Sequence, residues 1–254
     1  MPIVLRCNFS DESLALIEFI YQKVKANALK DKVRVVYIDT GWAATGWDQR
    51  VKSCAEYVVR RGFEMVTLKP PQDFTDMILS RGNFPSVKFQ WCVSFMKGLP
   101  FLSWLDEVDP NCEWIIALPK RQALYEEPIS EFKLECQYHG ERDVWHPLYQ
   151  HSDADREKLV ANAGFVPLAQ RSLECEPCVK ASCQDLKRLS QPDIAKTHKL
   201  EQTLLKPMFP IGTFGAKGGI EAAIQWARDN EPCTDGKRGS QFSRGCGDPF
   251  GCGL

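Results

Sequence analysis

Cys175, Cys178 and Cys183 follow one another as Cys-x2-Cys-x4-Cys. Two thiols three positions apart at a helix start can turn their sulfurs onto one metal, and a third about one turn later can join them. Thiolates suit zinc or an iron–sulfur cluster, and spacing does not separate the two. If Cys183 faces solvent or core instead, a Cys-x2-Cys pair is what remains. A second chemistry is suggested by Asn8-Phe9-Ser10-Asp11-Glu12-Ser13, which follows an apolar run and opens a helical pattern. Free backbone N–H groups and the helix dipole make such a loop a site for anions, with Ser10 and Ser13 at its centre. The competing structural reading makes Ser10 or Asp11 an N-cap and Glu12 a complement to the dipole. Asp39-Thr40-Gly41 ends another apolar run, where a carboxylate could hold a ribose hydroxyl or a metal-bound phosphate, or cap a solvated turn.

These residues need elements to carry them. Short apolar or β-branched runs at Pro2–Cys7, Val33–Ile38, Glu64–Leu68 and Glu113–Leu118 predict strands. Helical spacing from Asp11 to about Leu29, with Leu14, Ile17, Phe19, Ile20 and Val24, and again from Trp47 to about Arg61, predicts helices between them. Strands alternating with helices of this length imply right-handed crossovers and a mainly parallel, doubly wound α/β sheet. The loops after Cys7, Ile38 and Leu118 then share the carboxyl edge, where such sheets bind ligands. Residues 120–150 read as irregular. Helical segments are expected near Asp153–Ala163, Cys178–Leu189, Asp193–Leu205 and Gly219–Asp229, followed by a tail rich in Gly, Cys and Asp. The expected division is an α/β domain over 1–150 and a helical, Cys-rich region over 151–254.

Charge is balanced in the 254 residues, with 32 basic and 33 acidic side chains, so no global pull toward nucleic acid or anionic membrane follows. The N-terminal run reaches Asn8 too soon for a signal-peptide core, and no apolar run is long enough to span a bilayer. A cytoplasmic location is expected. Eleven cysteines in a reducing compartment favour metal ligation, thiol chemistry or simple burial over a disulfide framework.

Several segments together resemble the phosphoadenylyl-sulfate (PAPS) reductase-like family of adenine nucleotide α-hydrolases. The first loop resembles the PP-loop, Ser-Gly-Gly-Lys-Asp-Ser, with Ser13-Leu14-Ala15-Leu16 matching its end; Phe9 and Ser10 replace both glycines and Asp11 replaces the lysine. That last exchange reverses a charge beside the anion, roughly 4 kcal/mol per close pair at an effective dielectric of about 20. Asp39-Thr40-Gly41 is similar to the family's second-strand Asp-Thr-Gly. Gln90-Trp91-Cys92, with Lys97 and Pro100 beyond, resembles its Arg-Trp-Cys-Thr segment, and Trp145-His146-Pro147 its Trp-x-Pro turn. The run Arg171 to Cys178 resembles the Arg-x-Gly-Cys-x-x-Cys segment of phage-type and DNA-phosphorothioation branches. The resemblance covers most of the chain in the family's order. It implies an adenine nucleotide, ATP or PAPS-like, near Ser10, Ser13, Asp39, Thr40, Gly41, Lys97 and Arg121. It also implies Cys92 as fourth ligand beside Cys175, Cys178 and Cys183, and favours a [4Fe–4S] cluster over zinc.

Two functions follow from these expectations. One is an enzyme of sulfonucleotide reduction or ATP-dependent sulfur transfer. The other is a catalytically inactive relative that keeps the metal as a staple and serves as a binding component in a phage particle or DNA-modification complex, with a nucleic-acid or protein partner and an oligomeric state left open. Lys237-Arg238-Gly239-Ser240 is a candidate nucleic-acid contact or a solvated run. Cys246 and Cys252 are a candidate second ligand pair, a redox pair or a tail tip.

Overall fold

A computed structural model describes residues 1–27, 29, 32–125, 127–214, 216–230 and 233. The expectations for Lys237–Ser240, Cys246 and Cys252 lie outside these residues. The first half of the chain runs β1 (Ile3–Cys7), α1 (Asp11–Lys25), β2 (Val33–Ile38), α2 (Trp47–Arg60), β3 (Glu64–Leu68) and α3 (Phe74–Arg81). Then come a short turn of helix, α4 (Trp91–Val93), a π-helical segment over Ser94–Gly98, and α5 (Leu99–Val108). After β4 (Ile115–Ala117), β5 (Phe132–Cys136) and β6 (Arg142–Trp145), the chain is helical in α6 (Asp153–Asn162), α7 (Cys183–Arg188), α8 (Gln191–Leu204) and α9 (Ile220–Asp229).

The sheet order is β3-β2-β1-β4-β6-β5. All neighbours are parallel except β5, which runs antiparallel on β6 with a register shift between Lys133 and Cys136. The expected α/β doubly wound architecture is therefore present. The strand order reverses direction at β1, between β2 and β4, and this switch point is where open α/β sheets form their ligand crevice. Residues 120–150 depart from the expected irregular stretch, because β5 and β6 lie there. Four of the five β5 residues are exposed, so no apolar alternation marks the strand in the sequence.

Burial explains the layers. Leu14, Ile17 and Ile20 of α1 meet Leu5, Val35 and Tyr37 on one face of the sheet; Phe101 and Leu105 of α5 meet Val4, Val36 and Ile116 on the other. Leu159, Val160, Ala163 and Leu173 join the first of these cores. A further core gathers Val179, Leu186, Phe209, Ile220 and Ile224 from α7, α9 and their connections. Cys183 belongs to it and is disulfide-bonded to Cys233. The expected metal ligand Cys183 is thus corrected: its sulfur is spent on a covalent bond that staples α7 to the segment after α9. No helix among the described residues is long and apolar enough to cross a membrane.

Candidate functional site: a plugged loop and a cysteine crevice

Ser10 caps α1, its hydroxyl accepting from Ser13 N at 3.3 Å. The loop before it is closed by Asn8, whose Oδ1 accepts from Ser13 Oγ at 2.8 Å and Ser10 N at 3.0 Å. Phe9 holds a left-handed φ of 56°, a conformation natural to glycine and costly for a bulky side chain. The residue persists there because its ring is fully buried and stacks on Tyr37 at 5.2 Å. Asn8, Ser10, Asp11, Glu12 and Ser13 are all buried. The backbone donors of the loop are taken by its own side chains, Asn8 N by Ser13 Oγ, Ser10 N by Asn8 Oδ1 and Ser13 N by Ser10 Oγ.

Three contacts seal it. Glu12, in the first turn of α1, takes a two-pronged contact from Arg121 of the β4 loop, at 2.9 and 2.8 Å. Arg121 is fully buried and also reaches Asp153 Oδ1 at 2.8 Å and donates to the His151 carbonyl at 3.2 Å. The loops that flank the switch point are therefore joined by an ion pair. Leu168 N donates to Asp11 Oδ2 at 2.8 Å. Lys97, from the π-helical segment, reaches Glu174 Oε1 at 2.6 Å, with both side chains buried, and Asn8 Nδ2 lies 3.5 Å from the same oxygen. Of the expected nucleotide contacts, Ser10, Ser13 and Arg121 are internal ties as the chain stands. Asp39 and Gly41 are at the surface, where Asp39 accepts from Gly41 N at 3.0 Å and faces Lys69 at 3.8 Å. Gly41 has φ 69°, and a Cβ there would meet that of Asp73 at 3.0 Å, so the turn requires glycine.

A strap over residues 168–178 lies across both loops. Ala44 N donates to Leu173 O at 2.9 Å and Glu176 N to Trp42 O at 2.8 Å, while Trp42 Nε1 donates to Pro177 O at 2.9 Å. The strap carries Cys175 and Cys178 to a narrow crevice that they share with Cys92, Lys97 and Thr40. Phe74, Met96 and Met208 supply apolar walls. Its free volume is about 10 Å³, room for one water-sized body and none for a nucleotide. Cys92, Cys175 and Cys178 line this crevice, and Cys183 does not. Among the described residues, no three His, Cys, Asp or Glu donors converge as a single metal ion requires.

Cys178 is drawn below the ordinary thiol range, first by its hydrogen bond with Cys175 and, against the opposing effect of burial, by Arg171, the Lys180 amide and Lys97. Lys180 N approaches its sulfur at 3.5 Å. Between the two cysteines, burial pushes Glu176 up to about 8 despite Arg171, 3.4 Å away. Arg171 also pairs with Asp185 at 3.0 Å, so one guanidinium ties the strap to α7. Sequence reasoning missed Glu174 and Arg171 as site residues. The available signal was Glu174 itself, an acidic residue directly before Cys175 where the resembling pattern has glycine.

No protein-family model matches this chain, and no curated protein matches its sequence. Among solved structures, it is similar to PAPS reductase from Candida auris in a phosphate complex, at 14% identity and a TM-score of 0.46, covering 65% of this chain and 73% of that one. It is similar to NMN synthetase from Francisella tularensis at 11% identity and 0.47, covering 90% and 84%. It is also similar to the U34-tRNA thiolase NcsA from Methanococcus maripaludis with its [4Fe–4S] cluster, at 11% identity and 0.48, covering 90% and 72%.

Proposed function

We propose that this chain acts in sulfur chemistry, of the sulfonucleotide-reducing or sulfur-transferring kind, through a thiol-held metal or iron–sulfur cluster at Cys92, Cys175 and Cys178. Residues 1–150 would supply the sheet edge, and 151–254 the cysteine-bearing strap. The observation that carries the reading is the meeting of three thiols from two distant segments at one crevice beside Lys97. The donor set is soft, of the kind that suits zinc and iron–sulfur clusters. A cluster presents separate irons to separate sulfurs, so it fits three thiols that do not converge on a point better than zinc does. Met96 and Met208, unbranched and adaptable, are the walls able to yield space for it. When bound, a [4Fe–4S] cluster would supply electrons or an iron for sulfur. The chain's own part is to place Lys97 at the crevice and to exclude water with Phe74 and the methionines. The test is anaerobic reconstitution followed by iron, sulfide and zinc analysis. Matched iron and sulfide that fall in C92S and C178S variants support the reading; a wild type that retains neither iron nor zinc overturns it.

A second reading, a catalytically inactive binding component, is favoured by the Glu12–Arg121 and Lys97–Glu174 pairs that fill the anion loop. Equilibrium binding of ATP and PAPS separates the two. Absence of binding at millimolar nucleotide, with the metal still held, selects the second.

A further inference from the structure

We infer that the Cys183–Cys233 disulfide is a redox clamp on the cysteine crevice: intact, it keeps Cys175 and Cys178 shut in, and its reduction by a dithiol opens the crevice from the side of Val179 and Met208. The two features share a wall. Val179 and Met208 line the crevice, and both belong to the core of α7, α9 and their connections in which Cys183 is buried. Only Val179 to Ser182 separate Cys178 from Cys183, and Ala181 N donates to Cys178 O at 2.9 Å across that turn. The strap leans on α7 a second time near its start, through Arg171 Nε on Asp185 Oδ2 at 3.0 Å and Arg188 Nη1 on Ala169 O at 3.4 Å. A helix of six residues does not hold itself, so α7 keeps its place by packing and by the bond to Cys233. Cys175 and Cys178 are buried beside a free volume of about 10 Å³, so a reagent or a metal reaches them only when this wall yields. Openings of that kind are local events, and a cross-link within the opening unit restrains them.

The pair is built to be reduced from one side. Cys183 is buried, whereas Cys233 is half-buried at the margin of the same core. A thiolate of the incoming dithiol therefore attacks Cys233 Sγ. The S–S bond breaks, and Cys183 leaves as a thiolate and takes a proton. The second thiol of the reductant then attacks the mixed disulfide and releases Cys233 as a thiol. Two electrons and two protons have passed to the pair, and the reductant has become a disulfide. The freed Cys183 thiol has acceptors in place, Ala227 O at 3.7 Å and Asn230 O at 3.8 Å, so the reduced chain is a second folded state rather than a damaged one. As regulation of the crevice the inference rests on the proposed function. As access to two thiols it requires no metal, so an assay on metal-free protein separates the failure of one from the failure of the other.

The test uses the full-length chain, treated with chelator and either air-oxidised or reduced with dithiothreitol and freed of it under nitrogen. Labelling by N-ethylmaleimide is followed in time, and each cysteine is read by peptide mass spectrometry. Reduction should speed the labelling of Cys175 and Cys178 by at least about tenfold. Cys7 and Cys54, buried in the core of the sheet and α2, should not change, and exposed Cys112 should label fast in both states. The C183A/C233A variant should label at the reduced rate with or without dithiothreitol. If that variant does not fold, the reduced wild type carries the comparison by itself. Equal rates at Cys175 and Cys178 in the oxidised and reduced protein overturn the inference. A rise shared by Cys7 and Cys54 overturns it as well, because it reports general unfolding. So does an air-oxidised protein in which Cys183 and Cys233 are both found as free thiols.

Discussion

At the Glu12–Arg121 contact both side chains are buried, with exposures of 3% and 0%. Taking two charges out of water is costly, and the pair holds because two further hydrogen-bond partners surround the guanidinium. Removing one member leaves the other uncompensated, so E12Q should lose about 3 kcal/mol of stability in urea unfolding, with R121M/E12Q regaining part of it. The cap role of Ser10 was legible in the sequence, because a serine before Asp11 and Glu12 is a local signal. The partner of Glu12 was not, because it is 109 residues away and only the fold joins them. A pH effect belongs to His139. Burial first, then the charges of Arg6, Lys120, Lys133 and His146, hold its imidazole down at about 4 against an ordinary 6.5. The unfolded chain therefore takes a proton that the folded one refuses. Stability is full above about pH 6.5 and falls as pH drops toward 4, by about 3 kcal/mol. Urea midpoints between pH 7 and 4.5 should fall less steeply for H139Q than for wild type.

Among the elements, β2 and β3 coincide with the expected strands and β1 lacks only Pro2; β1 and β2 are legible because buried parallel strands are short, apolar and bounded by polar turns, whereas β3, with no buried residue, is a short run at the sheet edge. The strands of 120–150 escaped notice for the opposite reason. In β6 burial alternates, but it runs through Arg142, a buried arginine that only Asp109 and Asp106 make tolerable. The sequence reading of Cys183 likewise had the helix and missed the direction of the side chain. Its bond to Cys233 closes a separation of 50 residues. The chain-entropy account gives such a link about 4 kcal/mol. Reduction, or C233S, should lower the thermal midpoint, and hydrogen exchange should rise first in α7 and α9, with β1 and β2 unchanged.

Across the whole molecule, the carboxyl edge of the sheet has been put to two uses. One part, between α1 and the β4 loop, is closed by carboxylates of the chain itself. The other, beneath the strap, remains a thiol-lined crevice. The strap is what makes these neighbours, since Glu174 and Cys175 are adjacent on it. The three crevice cysteines could be singled out from sequence by the Trp91-Cys92 pair and the Cys175-x2-Cys178 spacing. The closure could not, since it depends on pairings between segments separated by 77 and 109 residues.

The register shift on β5 has a consequence for how one copy meets another. As the last strand in the sheet order, β5 has a partner on one side only and carries exposed Phe132 and Leu134. A straight strand of that kind invites edge-to-edge pairing with a second chain. The break between Lys133 and Cys136, with Glu135 at φ 45°, interrupts the row of backbone groups that an incoming strand would follow, and Lys133 places a charge beside it. K133V combined with deletion of Leu134, which would realign the strand, should make the protein self-associate with concentration in sedimentation velocity, whereas K133V alone should not. The irregularity in this strand thus guards the sheet against polymerisation.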